Sequence, residues 1–177
     1  REHGLRVYDI DAGIGTHVAI EEGLAGPGST LVSTDSHANI LGAIGAFGQG
    51  MGDVEIAHAF AFGKVWFKVP PTVKIVLTGE PGPQATPKDL ILAVLGRIGA
   101  DGLLGKAAEF RGPLVDELGL AARITMASMA TEMAGIIALF EPNDEVLAFC
   151  KKANHGVAEA VRADADAAYE RVIEIDV

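Results

Sequence analysis

Apolar positions along this chain keep two rhythms, short runs of strand length and longer stretches of helical spacing, and the two alternate from end to end. That alternation predicts βα units stacked on mostly parallel sheets, an α/β fold. "LRVYDI" predicts a strand, "THVAIEEGLA" a helix ending at Gly26-Pro27-Gly28, and "STLVST" a short strand between turn residues. A helix is expected near Asn39, and "GDVEIAHAFAFG" predicts another. At Pro70-Pro71 the pattern changes to the β-branched strand "TVKIVLTG" and a turn-rich loop, so a lobe boundary is placed there, dividing 1–70 from 71–177. Beyond it Thr86, Pro87 and Asp89 form a capping-box start for the helix "PKDLILAVLGRIGA". "AAEFRG" and "IIALF" predict strands, "AARITMASMATEMAG" a long helix stopped by Gly135, and "PNDEVLAFCKKA" a helix opened by proline. The end, "ADADAAYERVIEIDV", predicts a helix followed by a strand.

Composition narrows the classes. With 177 residues, 49% of them hydrophobic, the chain can bury one substantial core or two small ones. A formal net charge of -10 opposes binding to nucleic acid or to an anionic membrane surface, although a local cluster of cations could still bind an acidic metabolite. The single cysteine, Cys150, cannot form an internal disulfide or a thiolate metal site; it predicts a packed thiol and a reducing compartment, the cytoplasm. No apolar run reaches the roughly 20 residues of a membrane-spanning helix, and no secretory signal is present. The opening "REHGLRVYDI" starts as though within a domain, so a piece of a longer protein is expected.

The candidate chemistry gathers in "STDSH", residues 33–37, where a strand gives way to a helix. In open α/β sheets ligands bind outside the carboxyl ends of strands, which is where Asp35, Ser36 and His37 fall. The plain alternative is that Asp35 or Ser36 caps the following helix and His37 faces solvent. Two further residues weigh against it. His17 lies one βα unit upstream, and Glu132 sits in a stretch so apolar that a carboxylate there would need a partner. A histidine held by a carboxylate has its tautomer fixed and can deliver a proton to a leaving hydroxyl. His58 is expected to pack against the apolar side of its own helix, and His3 and His155 to face solvent. The glycines at 42, 45, 48, 50 and 52 match no phosphate loop or dinucleotide fingerprint; no zinc pattern is present, and Ser36 is not in Gly-x-Ser-x-Gly.

Together these segments resemble a known family. "PGSTLVSTDSHANILGAIGAFGQGMGDVEIAHA", then "KVP", "LTG", "TPKDLILAVLG", "EF-R-G" and "ASMATEMAG", in this order, are similar to the aconitase superfamily, in particular its isopropylmalate, homoaconitate and dimethylmalate dehydratase large subunits. The resemblance implies three-layer α/β/α lobes, with 1–70 the latter part of the first and 71–177 most of the second. It implies a hydro-lyase that removes water from a hydroxy-di- or tricarboxylic acid and adds it back. The family's roles fall on His17 paired with Asp35, His37 paired with Glu132, and Ser36 on a substrate carboxylate. A 4Fe–4S cluster is implied too, but its cysteine ligands are not in this chain, and no residue here is assigned to metal. The implied partners are a small hydroxy acid, the remaining domains of a large subunit and a small swivel subunit. Ser33, Ala38 and Ser128 stand where the family usually has Gly, Thr and Asn. A cluster-free homologue acting as a binding or accessory subunit is the competing expectation; cysteine motifs beyond Val177 would separate the two.

Overall fold

Parallel strand pairing organises the chain into two sheets. The computed structural model describes residues 4–154 and 158–177. After a 3-10 turn at Ile10–Ala12, helix α1 (Gly15–Glu21) leads into strand β1 (Thr30–Ser33). A 3-10 helix, Ala38–Ile44, then crosses to β2 (Phe47–Gly50), which pairs in parallel with β1, Thr30 opposite Phe47 and Ser33 opposite Gly50. Helix α2 (Asp53–Phe62) follows. The second sheet is built from β3 (Thr72–Thr78), α3 (Pro87–Ile98), β4 (Ala107–Arg111), α4 (Pro113–Asp116), α5 (Leu120–Ser128), β5 (Ile137–Phe140), α6 (Asp144–Ala153) and β6 (Arg171–Asp176). Its strands run parallel in the order β5-β4-β3-β6. The α/β class and the parallel sheets are as expected.

Strand β3 shows why the pattern was readable. Val73, Ile75 and Leu77 are fully buried while the residues between them are half-buried, so one pleat face meets the core. That face packs on Leu90, Ile91 and Val94 of α3, beside the stacked rings of Phe110 and Phe140, whose centroids lie 4.9 Å apart. Helix α3 starts as its sequence predicts. The Thr86 hydroxyl accepts from the Asp89 amide, the Asp89 carboxylate accepts from the Thr86 amide, and Pro87 takes the first turn. Thr86→Ala is expected to lower stability by about 1 kcal/mol, read as a lower urea midpoint with an unchanged slope.

Four local expectations are corrected. Residues 5–9 form no strand, because no other strand of the described residues lies alongside to complete a ladder. The element near Asn39 is a 3-10 helix rather than an α-helix, and the glycine-rich stretch after it contains β2. A Cβ at Gly48 would strike the Ala38 carbonyl and one at Gly42 the Ala138 carbonyl of β5, so these glycines allow backbone to lie directly on backbone. The long helix predicted up to Gly135 ends at Ser128. It tightens into three-residue bonds, passes through a 3-10 turn at Thr131–Met133 and closes with Ala134 at φ 56°. Residues 163–170 form no helix. Their alternation of Ala and Asp offers no apolar stripe, and Tyr169 instead donates to Glu109 at 3.0 Å, holding the segment against the sheet.

The two sheets share packing. Ala43 joins the core of Phe110 and Phe140, while Val146 and Cys150 of α6 pack against Ile40, Leu41 and Ile44. Cys150 is buried, and burial pushes its thiol above the ordinary cysteine value. Helix α2 buries none of its residues, and Phe60 and Trp66 beside it are exposed. No helix among the described residues is long and apolar enough to cross a membrane.

Candidate functional site

The chain leaves β1 at Ser33 and turns sharply through residues 34–37. Asp35 makes the turn: its Oδ1 accepts from the His37 amide at 2.9 Å, while its own amide donates to Ser33 Oγ at 3.2 Å. The carboxylate's other oxygen accepts from the Thr16 hydroxyl of α1 at 3.2 Å. Gly50, opposite Ser33 in the ladder, lets the turn lie close, since a Cβ there would sit 2.7 Å from the Asp35 carbonyl oxygen. Ser36 Oγ lies 3.2 Å from His37 Nδ1, and His37 Nε2 lies 3.4 Å from Glu132 Oε1. This last contact joins residues 95 positions apart, at the carboxyl end of β1 and in the turn that enters β5.

Two of the expected arrangements differ from the geometry. His17 does not meet Asp35; Thr16, its neighbour on α1, takes that place, and His17 Nδ1 is buried without a hydrogen-bond partner among the described residues. Glu132 is not a buried acid in an apolar helix. The break after Ser128 carries it to the surface, where its side chain is 41% exposed and that of His37 45%. Solvation rather than burial therefore surrounds the pair. His58 packs on Phe62 of its own helix, as expected, though that helix is exposed, and its Nδ1 lies 2.9 Å from the Lys64 carbonyl. His3 and His155 lie outside the described residues.

The unusual residues have local uses. Ser33 supplies the oxygen that holds the Asp35 amide, Ala38 is fully buried under the turn, and Ser128 donates back to the Thr125 carbonyl at 3.3 Å instead of reaching toward the turn. Thr16, Asn39 and Thr131 belong to the hydrogen-bonded fabric of the site and were not singled out from sequence, since nothing local marks them. No group of three or more His, Cys, Asp or Glu among the described residues is placed to hold a metal ion.

At the other end of β5 lies a second charged cluster. Glu141 bonds Arg111 and Arg162, and Arg111 also bonds Glu109 at 2.6 Å. Burial pushes the Glu141 carboxyl up, but the bonds from Arg111 and Arg162 prevail and hold it below the usual carboxylate range. A depressed folded value means stability that is present above the ordinary glutamate value of 4.5 and is lost as pH falls through the folded value. Urea midpoints should therefore separate the parent chain from Glu141→Gln at pH 7 and draw together as pH falls below 4.5 and through the depressed folded value. A gap of the same size across that range would mean the carboxylate is not what the cluster contributes.

Comparison with known proteins gives the family. The sequence profile of the Aconitase family (aconitate hydratase) matches residues 1–177. The 3-isopropylmalate dehydratase large subunit of Oleidesulfovibrio alaskensis is 41% identical over 167 residues, covering 94% of this chain and 40% of that protein. Its counterpart in Syntrophus aciditrophicus is 41% identical over 179 residues, covering 100% of this chain and 43% of that protein. 3-Isopropylmalate dehydratase large subunit 1 of Pyrococcus abyssi is 38% identical over 179 residues, covering 100% and 42%. This chain thus spans about two fifths of the length of these curated relatives. A match that covers residues 1–177, and with them both sheets and the turn between Ser33 and His37, leaves one placement: the chain belongs to the aconitase family.

Proposed function

We propose that this chain supplies the histidine–carboxylate part of the active site of an aconitase-type hydro-lyase acting on a hydroxy-di- or tricarboxylic acid. The contact between His37 and Glu132 is the observation that carries the reading, because it joins two distant segments at the carboxyl end of a parallel strand. In this role the protonated imidazole of His37 donates its proton as the carbon–oxygen bond breaks and the hydroxyl leaves as water, and Glu132 orients the ring. A base supplied by another segment takes the proton of the neighbouring carbon, so that the carbon–hydrogen electron pair becomes the double bond. Ser36, exposed one residue earlier, is assigned to a substrate carboxylate. Asp35 shapes the turn that presents both, and His17, with a buried nitrogen that lacks a partner among the described residues, is assigned a second proton-handling role. Such an orphaned atom costs about 1–3 kcal/mol, a cost that functional sites tolerate.

The family's 4Fe–4S cluster takes cysteine thiolates. The residues present do not fit it: Cys150 is the one cysteine, and it is packed in the core with Ile40 and Leu41. We therefore assign the cluster to cysteine-bearing segments of a large subunit outside this chain, with a small subunit completing the site. The apolar helix α2, none of whose residues is buried, offers a surface for such neighbours. A cytoplasmic setting suits the lone thiol.

Replacing the matching segment of the Syntrophus aciditrophicus large subunit with this chain, then adding its small subunit and reconstituting the cluster, tests the reading. Dehydration of isopropylmalate or a related hydroxy acid is expected. A folded, cluster-loaded hybrid without turnover on any of them would overturn it.

A further inference from the structure

The contact between His37 and Glu132 cannot position itself. Both side chains are well exposed, and a 3.4 Å ion pair in that setting contributes about 0–1 kcal/mol. Yet their separation depends on two turns that come from residues 95 positions apart. Something firmer has to hold those turns together.

The structure holds a candidate in Asn39, two residues after His37, and Thr131, one residue before Glu132. Asn39 is 2% exposed, set in a wall of Ala38, Ile40 and Leu41 that are themselves buried. Its Nδ2 donates to Thr131 Oγ1 at 2.7 Å, and the Thr131 hydroxyl in turn donates to the Ser36 carbonyl at 3.2 Å. Thr131 precedes Glu132 and Ser36 precedes His37, so this two-bond bridge fastens the Thr131 side chain of one turn to the Asn39 side chain and the Ser36 backbone of the other. The Asn39–Thr131 bond is part-buried and short, 2.7 Å against 3.4 Å for the exposed pair it stands beside, and it fixes the hydroxyl that reaches Ser36.

The cost of this arrangement points the same way. Asn39 Oδ1 is buried with no partner among the described residues, an expense of about 1–3 kcal/mol that an apolar side chain in this wall would avoid. What the amide contributes in return is its bond to Thr131. The close backbone approaches at Gly42 and Gly50 seat the 3-10 helix and β2, but neither touches the residues that flank Glu132. Only the bridge reaches both turns among the hydrogen bonds of residues 36–39 and 131–133 that leave the pair itself aside.

We infer that Asn39 and Thr131 are positioning residues that set the distance and orientation of His37 relative to Glu132, an inference that rests on the role proposed for that pair. Thr131→Val keeps the side chain's shape and removes the bridge, whereas Thr131→Ser keeps the hydroxyl. In the 177-residue chain, NMR cross-peaks between the His37 ring and the Glu132 side chain are expected to vanish in Thr131→Val and to persist in Thr131→Ser. In the assembled enzyme, Thr131→Val is expected to lower kcat about 100-fold with KM little changed, as displacement by about an ångström does elsewhere, and Thr131→Ser to restore it. Asn39→Leu, which removes the Asn39–Thr131 bond, leaves the one to Ser36 and suits the apolar wall, should weaken the cross-peaks and lower kcat in the same direction should Thr131→Val fold poorly.

Persistence of the cross-peaks in both Thr131→Val and Asn39→Leu would overturn the inference, as would a Thr131→Ser variant no better than Thr131→Val. Loss of the cross-peaks in Thr131→Val without any change in kcat, together with a Glu132→Gln enzyme of full activity, would support the bridge and overturn the catalytic role of the pair.

Discussion

Glu132→Gln in the assembled enzyme is expected to lower kcat by about 10²- to 10⁴-fold, the range lost when a positioned acid–base partner is removed. The same change should scarcely move stability. Glu132 is well exposed, its one described ion pair is with His37 at 3.4 Å, and such surface pairs contribute about 0–1 kcal/mol. Gln has nearly the volume of Glu and can still accept from an imidazole, so the turn at Thr131–Met133 has no reason to rearrange. A large kinetic loss with an unchanged urea midpoint separates a group that serves the reaction from one that serves the fold. Parallel losses of both would show that Glu132 is structural, and full activity would remove it from the site.

The largest expected effect on stability lies elsewhere, at Arg123. This guanidinium is 1% exposed and meets no carboxylate of the described residues within bonding distance; it donates instead to three backbone carbonyls, of Leu118 at 2.7 Å, Glu141 at 2.6 Å and Val115 at 3.0 Å. Burial draws it below the ordinary arginine value, partly offset by the charges of Asp116, Glu145 and Glu141. Three chain segments are therefore fastened at one point: the end of α4, the loop before α5 and the residue after β5. Arg123→Ala removes these bonds and opens a cavity over Phe140, with an expected loss of about 3–5 kcal/mol. The Leu118 carbonyl keeps a bond from Asn143 and the Val115 carbonyl one from the Leu118 amide, so the Glu141 carbonyl suffers most. Lysine should not rescue, because an ammonium cannot spread over three carbonyls in a fixed plane. Urea unfolding of the two variants checks this; a loss below about 1 kcal/mol would show that the buried charge costs as much as its bonds contribute.

What could be read from the sequence was what local chemistry decides. The alternation of Val73, Ile75 and Leu77 and the cap made by Thr86, Pro87 and Asp89 need no distant partner to be recognised, and both stand where they were expected. Elements justified by distant contacts were harder. Strand β2 carries Gly48 and Gly50, poor strand residues whose reason is the nearness of the Ala38 and Asp35 carbonyls. The end of α5 was misplaced because its reversal uses Ala134 in a left-handed conformation, where a glycine would have been the signal.

The site shows the same division. The strand-to-helix turn at Asp35 was legible, but its pairing followed from resemblance, and Glu132 lies at the surface rather than buried because the broken helix carries it outward. Thr16 rather than His17 meets Asp35 because adjacent helical residues point about 100° apart, and the rotation of α1 is decided by packing, not by local sequence. Asn39 and Thr131 could not be found at all before their 92-residue separation was closed by the fold.

Whether His37 and Glu132 act as one unit is decided by a double-mutant cycle on kcat. His37→Gln, Glu132→Gln and the double variant are compared in the assembled enzyme at saturating substrate. If the two work together, the double variant loses no more than the worse of the single variants. Losses that multiply would show two independent residues and contradict the account.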